Sequence, residues 1–300
     1  MADWLSIENL AAAWERVADN RGAPGVDHTS IARFARNWEE NLRRLRELVR
    51  SGHYKPASLR RVAVPKRGGG QRLLSIPTVA DRVLQRAMLN VLEDIYEHVF
   101  LSCSYGYRVG KSLRNALAAM LDYRERGLTW VLDADIDDCF DSIDHALLLS
   151  FLAEHVRDVR ILRLMRTWLE QGRRYRDPDR GIALGMPISP LLCNVYLHRM
   201  DCALIKARWA LVRYADDFTV CCPSEAHAWR ARDVVAAVLA GLHLRLEPRK
   251  TRVVSFERGF EFLGIRFERD HYRFLWKDKS VQVHGPVPVW LWGYVPDGYT

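Results

Sequence analysis

Leu211-Val212-Arg213-Tyr214-Ala215-Asp216-Asp217-Phe218-Thr219-Val220 sets two adjacent acids between two short apolar runs. Strand-forming residues on both sides of so short a polar pair predict a tight β-hairpin with carboxylates at its tip. Acids framed by apolar strands point to a bound cation. A second acid, Asp135, stands in Val131-Leu132-Asp133-Ala134-Asp135-Ile136, which also reads as a strand. Two strands that each deliver a carboxylate to one place make a site for paired Mg²⁺ ions, the chemistry that nucleotidyl transfer uses.

The 300 residues suffice for one large or two ordinary domains. The hydrophobic fraction of 49% and aromatic fraction of 10% are those of a globular protein. A formal net charge of +8 favours a polyanionic partner such as nucleic acid. No apolar run approaches a membrane span and the N-terminus has no signal-peptide pattern, so a cytoplasmic protein without membrane partners is expected. Cys103, Cys139, Cys193, Cys202, Cys221 and Cys222 are scattered without CxxC spacing and read as reduced thiols. The ten histidines are dispersed and show no ligand pattern, so no zinc site is expected.

Outward from the acidic hairpin, apolar spacing predicts helices over 6–18, 28–51, 78–100, 156–169, 188–207 and 225–239, with another starting near Ser112. Asp141 is expected to cap a short helix over 143–152. Residues 59–65 and 71–77 read as a basic hairpin around Gly68-Gly69-Gly70. Strands are expected over 129–136, 243–246 and 260–267. Residues 268–300, with Val287-Pro288-Val289-Trp290 and no helical period, read as an inter-domain linker or a truncated end. The mixture predicts an α+β fold, an antiparallel sheet packed by helices.

From about Ser6 to Phe267 the chain resembles bacterial reverse transcriptases of the group II intron type, through ordered blocks. These are Ile76-Pro77-Thr78-Val79-Ala80-Asp81-Arg82, Ser104-Tyr105-Gly106-Tyr107-Arg108, Asp135-Ile136-Asp137-Asp138-Cys139-Phe140-Asp141, Gly185-Met186-Pro187-Ile188-Ser189-Pro190, Tyr214-Ala215-Asp216-Asp217, Lys250-Thr251 and Phe262-Leu263-Gly264. The resemblance implies a right-hand polymerase with fingers and palm and an absent or truncated thumb. The N-terminal extension and fingers would cover 1–129 and the palm 130–267, with a fingers return at 156–184. Residues 268–300 would be a linker or the start of a missing thumb or downstream domain. Asn20…Gly25-Val26-Asp27 and the Asp-Ala-Asp-Ile-Asp-Asp run look most like the branch linked to CRISPR adaptation integrases. That implies copying of RNA for spacer acquisition and an integrase complex as partner.

The activity implied is RNA-directed DNA polymerisation with an RNA template, a DNA or RNA primer and dNTPs. Two Mg²⁺ ions, for which Mn²⁺ can substitute, would be held by Asp135, the Ile136 carbonyl, Asp216 and Asp217. Asp133, Asp137, Asp138 and Asp144 read as solvated loop and helix-start acids, although strand alternation leaves Asp133 the alternative of sharing the face of Asp135 as a supporting acid. Lys250 would protonate the leaving pyrophosphate or support the site. Lys66 and Arg72 would close over the triphosphate, and Phe140 would exclude a 2′-hydroxyl. Ala183-Leu184-Gly185 replaces the family's Pro-Gln-Gly, which places Leu184 and Gly185 beside the nucleotide. Ser189, Pro190 and Asn194 would shape the template pocket, Tyr214 would pack beside the primer end, and Arg108 is a template or a structural contact. Alternatives are an intron-mobility or retron-like defence enzyme, an RNA-copying RNA polymerase, which Phe140 disfavours, and a non-catalytic nucleic-acid-binding subunit.

Overall fold

The computed structural model describes residues 3–65, 70–172, 177–276 and 279–285. In chain order the elements are α1 (Ile7–Asp19), α2 (Ile31–Ala35), α3 (Trp38–Arg50), β1 (Arg60–Pro65), β2 (Gln71–Ile76), α4 (Val79–Glu97), α5 (Leu113–Glu125) and β3 (Trp130–Ala134). There follow α6 (Cys139–Ser142), α7 (His145–Ala153), α8 (Val159–Gly172), α9 (Ser189–Lys206), β4 (Ala210–Tyr214), β5 (Asp217–Cys222) and α10 (Glu225–Gly241). The chain closes with β6 (Arg252–Ser255), β7 (Phe260–Phe262), β8 (Ile265–Glu268), β9 (His271–Trp276) and β10 (Lys279–His284). The fold is α+β with antiparallel sheets, and no helix among the described residues is long and apolar enough to cross a membrane. Two compact units emerge, one from Met1–Val99 with Phe140–Tyr196 and one from Phe100–Cys139 with Leu197–Thr300.

In the first unit, Thr78 caps α4. Its Oγ1 accepts from the Asp81 backbone N–H at 3.1 Å and donates to Asp81 Oδ2 at 2.7 Å, satisfying a donor that the helix start leaves orphaned. α4 buries Val83, Leu84, Ala87 and Met88. α1 packs on it through Asn9, whose amide donates to the carbonyl of Ala87 at 2.8 Å. The basic hairpin forms as expected, with Val64 opposite Arg72. The helix expected over 28–51 is split. Asn37 leaves helical geometry at φ −134°, and the bend lets Phe34 meet Trp14 at 4.8 Å between ring centroids. The cap expected at Asp141 lies elsewhere. Asp141 is taken up in the short turn α6, and Asp144 Oδ1 accepts from the Leu147 N–H at 3.0 Å to start α7.

The second unit holds a sheet of order β4-β5-β3-β6, antiparallel throughout. Val131, Val212, Tyr214 and Cys221 from its strands join Leu113, Leu117 and Met120 of α5 in one core. The same core takes Phe260 and Phe267, stacked at 5.1 Å, from a second sheet of order β10-β9-β8-β7. Three expectations are corrected here. Residues 260–267 are not one strand but the hairpin β7–β8, because Leu263 and Gly264 both take positive φ (54° and 73°) and reverse the chain. Residues 243–246 form no strand. His243 takes φ 54° as α10 ends, and Leu246 makes an isolated bridge to Ile136. The start of the segment read as a linker is ordered, since β9 and β10 extend the second sheet. Val287-Pro288-Val289-Trp290 lies outside the described residues.

Candidate active site

The acidic hairpin is β4–β5. Tyr214 and Asp217 face each other across a two-residue loop of Ala215 and Asp216. Ala215 holds φ 58°, a left-handed conformation that a non-glycine residue adopts at a cost of about 1–3 kcal/mol. Two features over-determine it. The Arg213 guanidinium donates to the Ala215 carbonyl at 2.8 Å and is gripped from its other side by Asp201, with Nε–Oδ1 at 2.7 Å and Nη2–Oδ2 at 2.5 Å. Both Arg213 and Asp201 have side chains at 0% exposure. Gly106 supplies the second support, since a Cβ there would sit 2.5 Å from the Ala215 nitrogen.

β3 lies between β5 and β6 and carries Asp133, with Asp135 immediately after its end and Asp137 two residues further on. Each pairs with a cation from residues 245–252. Asp133 meets Arg252 at 2.6 Å, Asp135 meets Lys250 Nζ at 2.6 Å, and Asp137 meets Arg245 at 2.6 Å. The returning chain answers the three acids in antiparallel order. Burial pushes the Asp133 carboxyl above its usual range against the opposing pull of Arg252, with Asp217 and Asp135 adding to the rise. The Lys250 ammonium is held above its usual range by its hydrogen bond to Asp135.

Asp216 is half-buried, and its carboxyl is pushed up to about 6. Burial is the largest cause, then the charges of Asp217 and Asp135, while Lys250 opposes them weakly. The Ile136 carbonyl adds a donor of the same kind. In the Ile136–Leu246 bridge the flanking groups do the bonding, with Glu247 N–H to the Asp135 carbonyl at 2.9 Å and Asp137 N–H to the Arg245 carbonyl at 3.0 Å. That pattern turns the carbonyl of Ile136 itself to the opposite edge of β3, the edge along which β5 runs.

The donor set suits a hard divalent cation: carboxylates in excess of ammonium groups, an outward carbonyl, and a repulsion that a cation would relieve.

The other candidates fall as follows. Arg108 donates to the carbonyls of Leu101 (2.6 Å) and Ser104 (2.8 Å) and lies over the Phe100 ring at 5.4 Å, so it braces its own loop. Tyr214 is buried in the core and faces Tyr107 at 6.4 Å between centroids. In the first unit the Ser75 N–H donates to the Leu184 carbonyl at 2.7 Å, and Gly185 takes φ 103° with its Cα turned to the Ser75 carbonyl. The backbone at 184–185 is thus fastened to β2, the strand that carries half-buried Arg72. The Phe140 carbonyl accepts from Ile182 N–H at 2.8 Å, and its half-buried ring leaves part of its surface accessible. Ser189 and Asn194, expected at the template, are buried. Ser189 Oγ donates to the Ala183 carbonyl at 2.6 Å, so it shapes the 183–185 turn rather than presenting itself. Pro190 is half-buried in the first turn of α9. Lys66 lies outside the described residues.

Sequence reading missed Arg213, Asp201, Arg245 and Arg252. The signal for the last two was present, since Arg245, Lys250 and Arg252 run oppositely to three alternating acids. Asp201 sits on α9 with no local cue.

Residues 64–267 match the family model described as reverse transcriptase (RNA-dependent DNA polymerase). Protein YkfC of Escherichia coli is 32% identical, over 89% of this chain and 82% of that protein. The group II intron-encoded protein LtrA of Lactococcus lactis is 32% identical over 63% of this chain, which spans 32% of its length. Among solved structures, apo telomerase of Candida tropicalis shares the fold, with a TM-score of 0.54 at 15% identity over 73% of this chain and 56% of that one. The chain belongs to the reverse transcriptase family, the RNA-dependent DNA polymerases, and within it resembles the group II intron-encoded proteins.

Proposed function

We propose that this chain extends a primer on an RNA template with dNTPs, with Asp135, Asp216, Asp217 and the Ile136 carbonyl holding two Mg²⁺ ions. The observation that carries the reading is the Asp216 carboxylate, set at a braced hairpin tip where its strongest charged neighbours are other carboxylates. Two ions about 3.5–4 Å apart would supply a nucleophilic primer 3′-hydroxyl and neutralise the triphosphate. The protein's own part is positional. Arg213 and Gly106 fix the loop, and the end of β3 with the Glu247 N–H fixes the backbone of Asp135. Lys250, ion-paired with Asp135 at 2.6 Å, would give a proton to the leaving pyrophosphate. Arg72 and Lys66 would meet the triphosphate from the β1–β2 hairpin, and Leu184 and Gly185 would present backbone to the nucleotide. Phe140, five positions after Asp135, selects dNTPs by bulk. The palm in this reading is the unit containing β3–β6, and the fingers are the unit containing β1, β2 and α4.

Incorporation of dTTP on poly(rA) with an oligo(dT) primer tests this. Mg²⁺-dependent product in the wild type and its loss in Asp216→Asn, with the variant still folded and still binding primer–template, are the expected results. Equal incorporation by Asp216→Asn would sink the metal assignment.

The setting we propose is RNA copying for an adaptation integrase, on the strength of the Asn20…Gly25-Val26-Asp27 pattern. In the structure that stretch is seated against the start of α4. A Cβ on Gly25 would lie 2.7 Å from the Thr78 Cα, and Arg82 donates to the Ala23 carbonyl at 2.9 Å. Adaptation genes beside this gene support the setting, and a surrounding ribozyme-like intron overturns it.

A further inference from the structure

Asp270, His271 and His284 each offer one ligand atom within 4.8 Å of the others, the one such trio among the described residues. The histidines are thirteen positions apart and unremarkable in sequence, but the β9–β10 register sets them directly opposite each other. Their rings stand 5.1 Å apart between centroids. Asp270 reaches both, with Oδ1 3.2 Å from His271 Nδ1 and Oδ2 3.5 Å from His284 Nδ1.

Two imidazoles facing each other across a strand pair repel if both are protonated. As neutral nitrogen donors beside a carboxylate they form a borderline-soft donor set, suited to Zn²⁺, Co²⁺, Ni²⁺ or Cu²⁺ rather than Mg²⁺. Ligand atoms about 2.0–2.1 Å from a tetrahedral ion stand about 3.3–3.4 Å apart. Each Asp270–histidine separation, one from either carboxylate oxygen, is close to that edge length. Gln282, on the same strand as His284, has its side-chain amide 3.0 Å from His284 Nε2. A metal-bound imidazole commonly donates its other N–H to such a partner, which fixes the ring. The assignment of the amide's N and O is interchangeable. His271 is largely covered, with 16% of its side chain exposed, whereas Asp270 (79%) and His284 (60%) leave an entry path and an open coordination position for water.

We propose that Asp270, His271 and His284 form a transition-metal site, taking Zn²⁺ or a similar ion, that clasps the edge strand β10 to the β8–β9 turn. The site is separate in residues and in metal preference from the Mg²⁺ carboxylates, and it stands whether or not the polymerase reading does.

The test is a Co²⁺ titration of the EDTA-stripped full chain in excess Mg²⁺, followed by visible d–d absorption, with circular dichroism to confirm each variant folded. One equivalent should bind in the wild type and in Asp216→Asn. Affinity should fall at least about tenfold in His271→Ala and in His284→Ala. Zn²⁺ should raise the melting temperature of the wild type and not of His284→Ala. Four results overturn the site: no absorption in the wild type, unchanged affinity in both histidine variants, loss of the signal in Asp216→Asn alone, or its loss in Cys202→Ala alone. The third would move the ion to the hairpin carboxylates. The fourth would move it to the Cys202–His198 pair, whose Sγ and Nε2 stand 3.3 Å apart.

Discussion

Asp216 titrates in a direction that metal-free protein can report. In the fold its carboxyl keeps a proton up to about pH 6, whereas a free aspartate releases it near 3.8. Between those values the native state binds more protons than the unfolded one, so this group's contribution to stability falls as pH rises from 4 to 6. In EDTA, the difference in urea midpoint between wild type and Asp216→Asn should shift across that window in favour of the variant. Mg²⁺ should abolish the shift, because it favours the carboxylate. A flat difference would mean that Asp216 is solvated as an ordinary surface acid.

A second residue-scale prediction concerns Arg213. Its replacement by Met leaves Asp201 buried and uncompensated, which costs about 3–5 kcal/mol, whereas Arg213→Met with Asp201→Leu should recover much of that stability. Activity should not recover with stability, because the Ala215 carbonyl then has no donor to hold the loop. Recovery of both would show that the pair serves stability alone. Phe140→Ala should raise the ratio of rNTP to dNTP incorporation about tenfold or more, since steric discrimination of one small group is worth 1–3 kcal/mol. An unchanged ratio would remove Phe140 from sugar selection.

At the scale of elements, the loop at 184–185 and the hairpin at 215–216 are both held by close backbone approach. Gly185→Ala adds a Cβ 2.8 Å from the Ser75 carbonyl at a φ of 103°, and Gly106→Ala adds one 2.5 Å from the Ala215 nitrogen. The first should detach the 184–185 turn from β2 and raise the dNTP KM. The second should displace the hairpin and lower kcat with little effect on KM. Equal effects on both parameters in both variants would show general destabilisation instead. Asp144→Ala removes the cap of α7 and should cost about 1 kcal/mol, read as a lower urea midpoint.

At the scale of the molecule, both units are discontinuous in sequence, one closing around 100–139 and the other around 140–196. A cut near residue 139 therefore leaves each fragment with parts of two cores. Fragments 1–139 and 140–300 should each lack cooperative unfolding by circular dichroism, and a cooperative transition in either would contradict this division. The net charge of +8 acts on the whole chain as a field, so primer–template affinity should fall steeply with salt.

The sequence by itself determined the acidic hairpin, the strand that leads into Asp135, most helix positions and the family. Those features are written in short-range terms: period-2 and period-3.6 apolar spacing, capping residues, and blocks in a fixed order. It also carried, unread, the antiparallel match of Arg245, Lys250 and Arg252 to Asp137, Asp135 and Asp133. Only the tertiary structure decided that Arg213 and Asp201 brace the acidic hairpin loop, that Arg108 braces its own, and that Ser189 and Asn194 are buried. It alone joined β7, β8, β9 and β10 into a sheet and set His271 opposite His284. The physical reason is common to all of these. Burial and cross-strand register depend on which distant segments meet, and a local pattern of residues holds no term for that.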